Sequence, residues 1–189
     1  MRLFVACEIA APVKTAAVAL IDELAQRASR LAPSSRITWL TADRLHVTVR
    51  FIGFVDDTRA ASIRAALSGV LPVGAFDLAV SGVGAFPPKG PPRVLWAGLT
   101  AGTDRLVDVE RHVSTVLARL GIAAEARPYA PHLTLARARD AAGLRTAALL
   151  EGVSGAILGT TRVAAITLFE SRLSPKGPTY VPLQRMALA

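Results

Sequence analysis

Cysteine, lysine and aromatic side chains are all scarce in this chain, and each scarcity narrows what it can be. A single cysteine, Cys7, excludes a disulfide framework within the chain and leaves no basis for a cysteine-ligated metal site. Cys7 lies in an apolar stretch and reads as a small core residue, not a nucleophile. No apolar run approaches the ~18 residues of a membrane span, so no transmembrane segment is expected. The opening MRLFVACEIA lacks the long apolar region and small-residue cleavage site of a secretory signal, which makes the cytoplasm the expected location. With 52% apolar and 19% charged residues, disorder is excluded as the main state. The length of 189 residues fits one domain, 1–189. A chain of this size buries ~70% of its unfolded surface on folding.

Only three of the 22 basic residues are lysine (Lys14, Lys89, Lys176), so 19 are arginine. The net charge of +8 is spread evenly, with 11 basic and 7 acidic residues in each of 1–94 and 95–189. The planar arginine fork suits phosphate, and a basic surface points to an anionic partner: RNA, DNA or a nucleotide. A genome rich in G and C, which favours Arg and Ala codons, explains the same composition. There is no basic tail, so any anion site belongs to the folded body.

The chain reads as two passes through one grammar. Strands are predicted over 2–9, 37–40, 45–54 and 76–83, with helices opening at Pro12 and near Asp57 or Thr58. The proline-rich stretch 86–93 is the most loop-like segment and sits near the midpoint. The second pass predicts strands over 94–99, 131–136, 163–171 and 179–188, and a turn over 175–178. Its helices are capped by Thr103 and by Asp140, and Gly121 sits where the first of them should end. An internal duplication is plausible. Neither half holds enough elements to bury both faces of a sheet alone.

Histidine is also rare: there are three, and two of them stand in matching frames, His46-Val-Thr48-Val and His132-Leu-Thr134-Leu, 86 residues apart. Side chains alternate along a strand, so His46 and Thr48 share one face, as do His132 and Thr134, and the aliphatic residues take the other. Same-face neighbours lie ~6.5–7 Å apart, close enough for an imidazole and a hydroxyl to touch one phosphate-sized group. If a two-fold axis relates the halves, both pairs face one cleft. Two imidazoles flanking a phosphodiester suit general acid–base cleavage, since imidazole titrates near ~6.5. The hydroxyls would donate to the phosphoryl oxygens as negative charge grows. One such motif alone is weak, because threonine favours strands in any case. Metal binding is the rival use of a histidine pair, but neither motif has a Cys, Asp or Glu at ligand spacing on the same strand face, so no metal is expected. His112 falls off the apolar stripe of its helix and reads as an exposed helix residue.

The two motifs resemble the paired HxTx motifs of the 2H phosphoesterases. The resemblance extends to Arg2-Leu-Phe-Val, Trp39, Arg50-Phe-Ile-Gly53, Val94-Leu-Trp-Ala-Gly98, Arg127-Pro-Tyr-Ala-Pro-His132 and Phe169-Glu-Ser-Arg172, in the order found in RNA 2′,3′-cyclic phosphodiesterases, also called 2′-5′ RNA ligase-like proteins. It implies a bilobal α+β fold: a duplicated, pseudo-two-fold arrangement of two antiparallel sheets with outer helices and a central cleft. It implies cofactor-free hydrolysis of an RNA 2′,3′-cyclic phosphate to a 2′-phosphate, reversible as 2′-5′ ligation. By that analogy His132 is the general base and His46 the general acid, and Thr48 and Thr134 hold the phosphoryl oxygens. Spacing alone does not assign acid and base.

Other residues are candidates for substrate contact. Arg50 alternates onto the His46 face. Arg137 shares a face with Leu133 and Leu135, and reaches the cleft only if the strand ends or twists first. Surface salt bridging accounts equally for both. Tyr129 and Phe86 are candidates for stacking on a base. Trp39 and Trp96 read as core. Lys89 and Arg93 either track an RNA backbone or are solvated loop charges. The expected protein is a monomer with no obligate protein partner and no membrane contact. Two alternatives stay open: a phosphodiesterase of small cyclic nucleotides, and a non-catalytic RNA-binding module.

Overall fold

The computed structural model describes residues 1–175 and 177–189. Lys176, inside the turn expected over 175–178, lies outside the described residues. The first pass of the chain forms β1 (Arg2–Glu8), α1 (Ala11–Leu31), β2 (Arg36–Trp39), β3 (His46–Phe54), α2 (Asp57–Ala66) and β4 (Phe76–Phe86). The second forms β5 (Val94–Ala101), α3 (Thr103–Ala118), β6 (Leu133–Asp140), α4 (Thr146–Leu150), β7 (Ile157–Val163), β8 (Ala165–Arg172) and β9 (Thr179–Ala187).

Local chemistry explains most boundaries. Pro12 sits in the first turn of α1, where its missing N–H is no loss, and Val13, Ala17, Leu20, Ile21, Leu24 and Ala28 form the buried stripe. The α2 cap is Asp56, one residue before those expected: its carboxylate accepts from the Arg59 N–H at 2.7 Å. Gly102, not a side chain, begins α3. Gly121, at φ +71°, ends it, with Ile122 N–H on Leu117 O and Gly121 N–H on Ala118 O. Asp140 ends β6 and accepts from the Ala142 N–H; α4 begins six residues later and is one turn long. The edge strand β7 has no counterpart among the predicted strands.

All strand pairings are antiparallel, in the order β7-β4-β5-β6-β3-β1-β8-β9, with β2 added to β6. Read from its centre, this order is a palindrome. The inner strands β3 and β6 carry the two His-x-Thr motifs. β1 and β5 flank them, and β8 and β4 lie outside those. β4 thus pairs with β5 although it ends the first pass, and β8 pairs with β1 although it follows β6 and β7. The first half gives β4 and β2 to the second lobe, and the second half gives β8 and β9 to the first, so neither half is a separate folding unit. Residues 86–93 close the β4–β5 hairpin, with the Arg93 N–H on Phe86 O at 2.7 Å.

The two lobes are continuous through a single backbone pairing, Val47 with Leu133. These are the central residues of the two motifs, both 0% exposed. The helices cover the opposite face: α1 packs on β7 and β6, and α3 on β3 and β5. The core lies between helices and sheet, built by Leu3, Val5, Cys7, Val47, Leu133, Leu135 and Ile166 among others. A small second cluster, Phe4, Ala6 and Phe169, lies on the other face.

Candidate active site

The face of the sheet away from the core can be followed strand by strand, because directly paired residues share a face. Thr48 pairs with Ala6, and Thr134 with Trp96. His46 and His132 belong to this face too. Because Val47 faces Leu133, a regular antiparallel ladder sets the two histidines diagonally across the β3–β6 junction, ~7–8 Å apart.

Both imidazoles are held in the same way. Nδ1 of His46 lies 2.8 Å from Arg44 O, and Nδ1 of His132 lies 2.8 Å from Ala130 O. A carbonyl only accepts, so each Nδ1 carries the proton and donates it. In the neutral ring this leaves the Nε2 lone pair pointing away from the backbone. The bond to residue i−2 is repeated because His46 begins β3 and His132 immediately precedes β6, and in each case the chain leading into the strand offers a carbonyl.

The surroundings differ. His46 packs against the rings of Phe4 and Tyr180, each 5.0 Å away, the second edge-on, and those two rings also touch each other at 5.0 Å. That burial, helped by the positive charge of Arg137, pushes its pKa down to about 4. His132 packs edge-on against Phe86 at 5.3 Å and lies 6.5 Å from Trp96. Its pKa is also lowered by burial, with Arg137 adding to the effect. The Tyr180 hydroxyl is shifted up by burial. Beside His132 opens a cavity of about 800 Å³, lined by Thr48, Phe86, Arg93, Arg127 and Tyr129 among others.

The two arginine candidates exchange roles. Along β3 and β1, Ala6 pairs with Thr48 but Val5 pairs with Arg50, so Val49 is an extra residue in a β-bulge. The bulge reverses the alternation, and Arg50 turns to the core face, 3% exposed. It is not on the His46 face. Its Nη2 donates to Ala123 O, and its Nη1 lies 3.8 Å from the Glu125 carboxylate. Along β6 and β5, Trp96 pairs with Thr134 and Leu95 with Ala136, which makes Leu135 the extra residue. Leu135 and Ala136 are both buried, and Arg137 emerges on the histidine face. Its guanidinium acts electrostatically on both imidazoles.

The aromatic candidates are also placed. Phe86, 38% exposed, stands beside His132. Tyr129 lines the cavity with its ring, while its hydroxyl donates to the Thr48 carbonyl at 2.9 Å and ties the loop before β6 to β3. Its pKa is raised by burial. Trp39 pairs with Ala136 and packs on the core as expected. Trp96 does not join the core; it lies on the histidine face against Gly84, where an added Cβ would come within 2.3 Å of its ring. Arg93 lines the cavity, whereas Lys89 is exposed on the hairpin. Phe4 and Tyr180 were not anticipated at the site. Tyr180 comes from β9, and nothing local in the sequence ties it to His46. His112 is half-buried on α3. Among the described residues, no three His, Cys, Asp or Glu side chains are grouped to hold a metal ion.

A curled antiparallel sheet of this kind also occurs in known proteins. The profile of the 2′-5′ RNA ligase superfamily matches residues 16–174. The chain belongs to the 2′-5′ RNA ligase superfamily. Within the superfamily it is 33% identical over 148 residues to a protein of Aeropyrum pernix named RNA 2′,3′-cyclic phosphodiesterase, covering 78% of this chain and 84% of that one. A protein of the same name from Archaeoglobus fulgidus is 30% identical, over 97% of this chain and 98% of its own. Among solved superfamily structures, E. coli LigT in its apo form superposes with a TM-score of 0.72 at 27% identity, covering 99% of this chain and 96% of LigT. No helix among the described residues is long and apolar enough to cross a membrane.

Proposed function

We propose that this protein hydrolyses the 2′,3′-cyclic phosphate at the end of an RNA chain to a 2′-phosphate, with His46 and His132 as its acid–base pair. The observation that carries this reading is the matched pair of imidazoles: same face, same tautomer, same 2.8 Å anchor, one threonine beside each. The name shared by the Aeropyrum and Archaeoglobus relatives supports the substrate. LigT, at 25% identity in a further structure, has been crystallised with phosphate.

In the proposed step a water attacks phosphorus, and Nε2 of His132 takes its proton. The bond from phosphorus to the 3′-oxygen breaks, and the proton on Nε2 of His46 passes to that oxygen. Thr48 and Thr134 donate to the non-bridging oxygens, and Arg137 offsets their charge. The step uses no metal and no cofactor. With the 5′-hydroxyl of a second RNA strand attacking in place of water, the same step forms a 2′-5′ linkage and frees the 3′-hydroxyl.

This division of labour follows the resemblance of the two motifs to the family's paired histidines; burial lowers the pKa of both imidazoles. His46 is neutral near pH 7 without substrate. An anionic phosphodiester beside it favours the imidazolium and supplies the donor form. We place the protein in the cytoplasm, acting as a monomer without an obligate partner.

The test is an RNA oligonucleotide ending in a 2′,3′-cyclic phosphate, incubated in EDTA with wild type, His46→Ala and His132→Ala, with 2′- and 3′-phosphate products resolved. The wild type should make the 2′-phosphate only, and each variant should lose at least ~10²-fold in rate. A 3′-phosphate product, or unaffected variants, would overturn the reading. A nucleoside 2′-(p-nitrophenyl) phosphate separates the roles, because its leaving group needs no proton: it should rescue His46→Ala and not His132→Ala.

A further inference from the structure

The two lobes differ at the cleft-face position just past the bulge of each inner strand. Arg137 lies five residues after His132, just past the β6 bulge. Its counterpart, five residues after His46 and just past the β3 bulge, is Phe51. Phe51 pairs with Phe4, whose ring packs on His46, so Phe51 is on the same face as the histidines. A second extra residue, Ile52, reverses the alternation again, and Phe54 then pairs with Arg2.

Both phenylalanine rings are uncovered, Phe51 at 42% and Phe54 at 78%. The Arg2 guanidinium lies over both, 5.0 Å from one ring centroid and 5.9 Å from the other. Arg2 also acts electrostatically on Tyr180, the ring that walls His46. A continuous surface therefore leads from His46 through Phe4 and Tyr180 to Arg2, Phe51 and Phe54. Along β3 these rings follow Thr48 at steps of ~7 Å. Two exposed rings with a cation on them, at the mouth of a phosphate-handling cleft in a chain of net charge +8, fit a stacked nucleobase next to a backbone phosphate.

We infer that Arg2, Phe51 and Phe54 form a stacking platform for the single-stranded RNA that precedes the cyclic phosphate, so that the protein acts on oligonucleotides in preference to mononucleotides. This rests on the acid–base reading of His46 and His132 and adds the part of the substrate that is held outside the reacting group.

The experiment compares a nucleoside 2′,3′-cyclic monophosphate with a hexaribonucleotide carrying the same end, for wild type, Phe51→Ala, Phe54→Ala and Phe51→Tyr. The wild type should favour the hexamer in kcat/KM. Each alanine variant should lose roughly 5- to 100-fold of that advantage, the scale of base–aromatic stacking, with turnover of the mononucleotide unchanged. Phe51→Tyr should retain the advantage. A hexamer with abasic sites before its end should bring the wild type down to the level of the alanine variants. Equal losses on both substrates, or no loss on the hexamer, would overturn the platform while leaving the acid–base reading in place. Binding of a hexamer ending in a 2′-phosphate, followed by fluorescence anisotropy, reads the platform even if neither cyclic phosphate is turned over: weaker binding of Phe51→Ala and Phe54→Ala supports it, and unchanged binding overturns it.

Discussion

Acidification should destabilise this protein through His46 by an amount that the structure sets. In the folded chain, burial against Phe4 and Tyr180 pushes the imidazole down to about 4. In the unfolded chain it returns to ~6.5. At higher pH the ring is neutral in both states and its titration contributes nothing. Below ~6.5 the unfolded chain takes up a proton that the folded chain refuses, so stability falls with falling pH. The loss levels off near pH 4, where the folded ring is protonated as well. A gap of about two and a half pH units corresponds to roughly 3 kcal/mol, a large fraction of the 5–15 kcal/mol typical of a domain. His132 and the carboxylates titrate in the same interval, so the measurement must be a difference. His46→Asn keeps an N–H for the Arg44 carbonyl and does not titrate. Urea unfolding of both proteins between about pH 7.5 and 4.5 should show the wild type losing about 2.5 kcal/mol more than the variant. Parallel losses would refute the claim that a dry imidazole is built into the fold at this position.

Gly84→Ala would place a methyl group 2.3 Å from the Trp96 ring, so the indole must leave its position near His132. Overpacking of this kind costs about 1–3 kcal/mol, and a fall in both urea midpoint and activity is expected. Tyr129→Phe removes the bond to the Thr48 carbonyl, about 1 kcal/mol of stability, and should raise KM more than it lowers kcat as the loop loosens. Arg50→Met leaves Glu125 and the Ala123 carbonyl without their buried partner, and limited proteolysis should cut the loop carrying Arg127 and Tyr129 faster than in wild type. Affinity for an RNA end should fall steeply with salt, by roughly one counterion per phosphate contacted; an affinity indifferent to salt would argue for a mononucleotide substrate.

Much of the molecule was legible in one dimension. The aliphatic residues between His and Thr had to face the core, which set both motifs on one exposed face, and Val47 and Leu133 are indeed fully buried. Helix stripes, the proline at the start of α1 and the glycine after α3 are local signals, and they placed those elements correctly. Two His-x-Thr motifs in matching frames, 86 residues apart, and a repeated order of strands and helices made a duplication plausible. Alternation failed only where the ladder skips a residue. A bulge at Val49 in β3 and one at Leu135 in β6 took Arg50 out of the cleft and brought Arg137 into it. A bulge is a property of two paired strands, so no reading of one strand reveals it. The same holds for the crossing of β4 and β8 into opposite lobes, and for Tyr180, which reaches His46 from β9. Side-chain identity and periodicity act over a few residues and are written in the sequence. Register and the desolvation of a ring depend on segments from about forty to more than a hundred residues apart, and only the folded sheet brings them together.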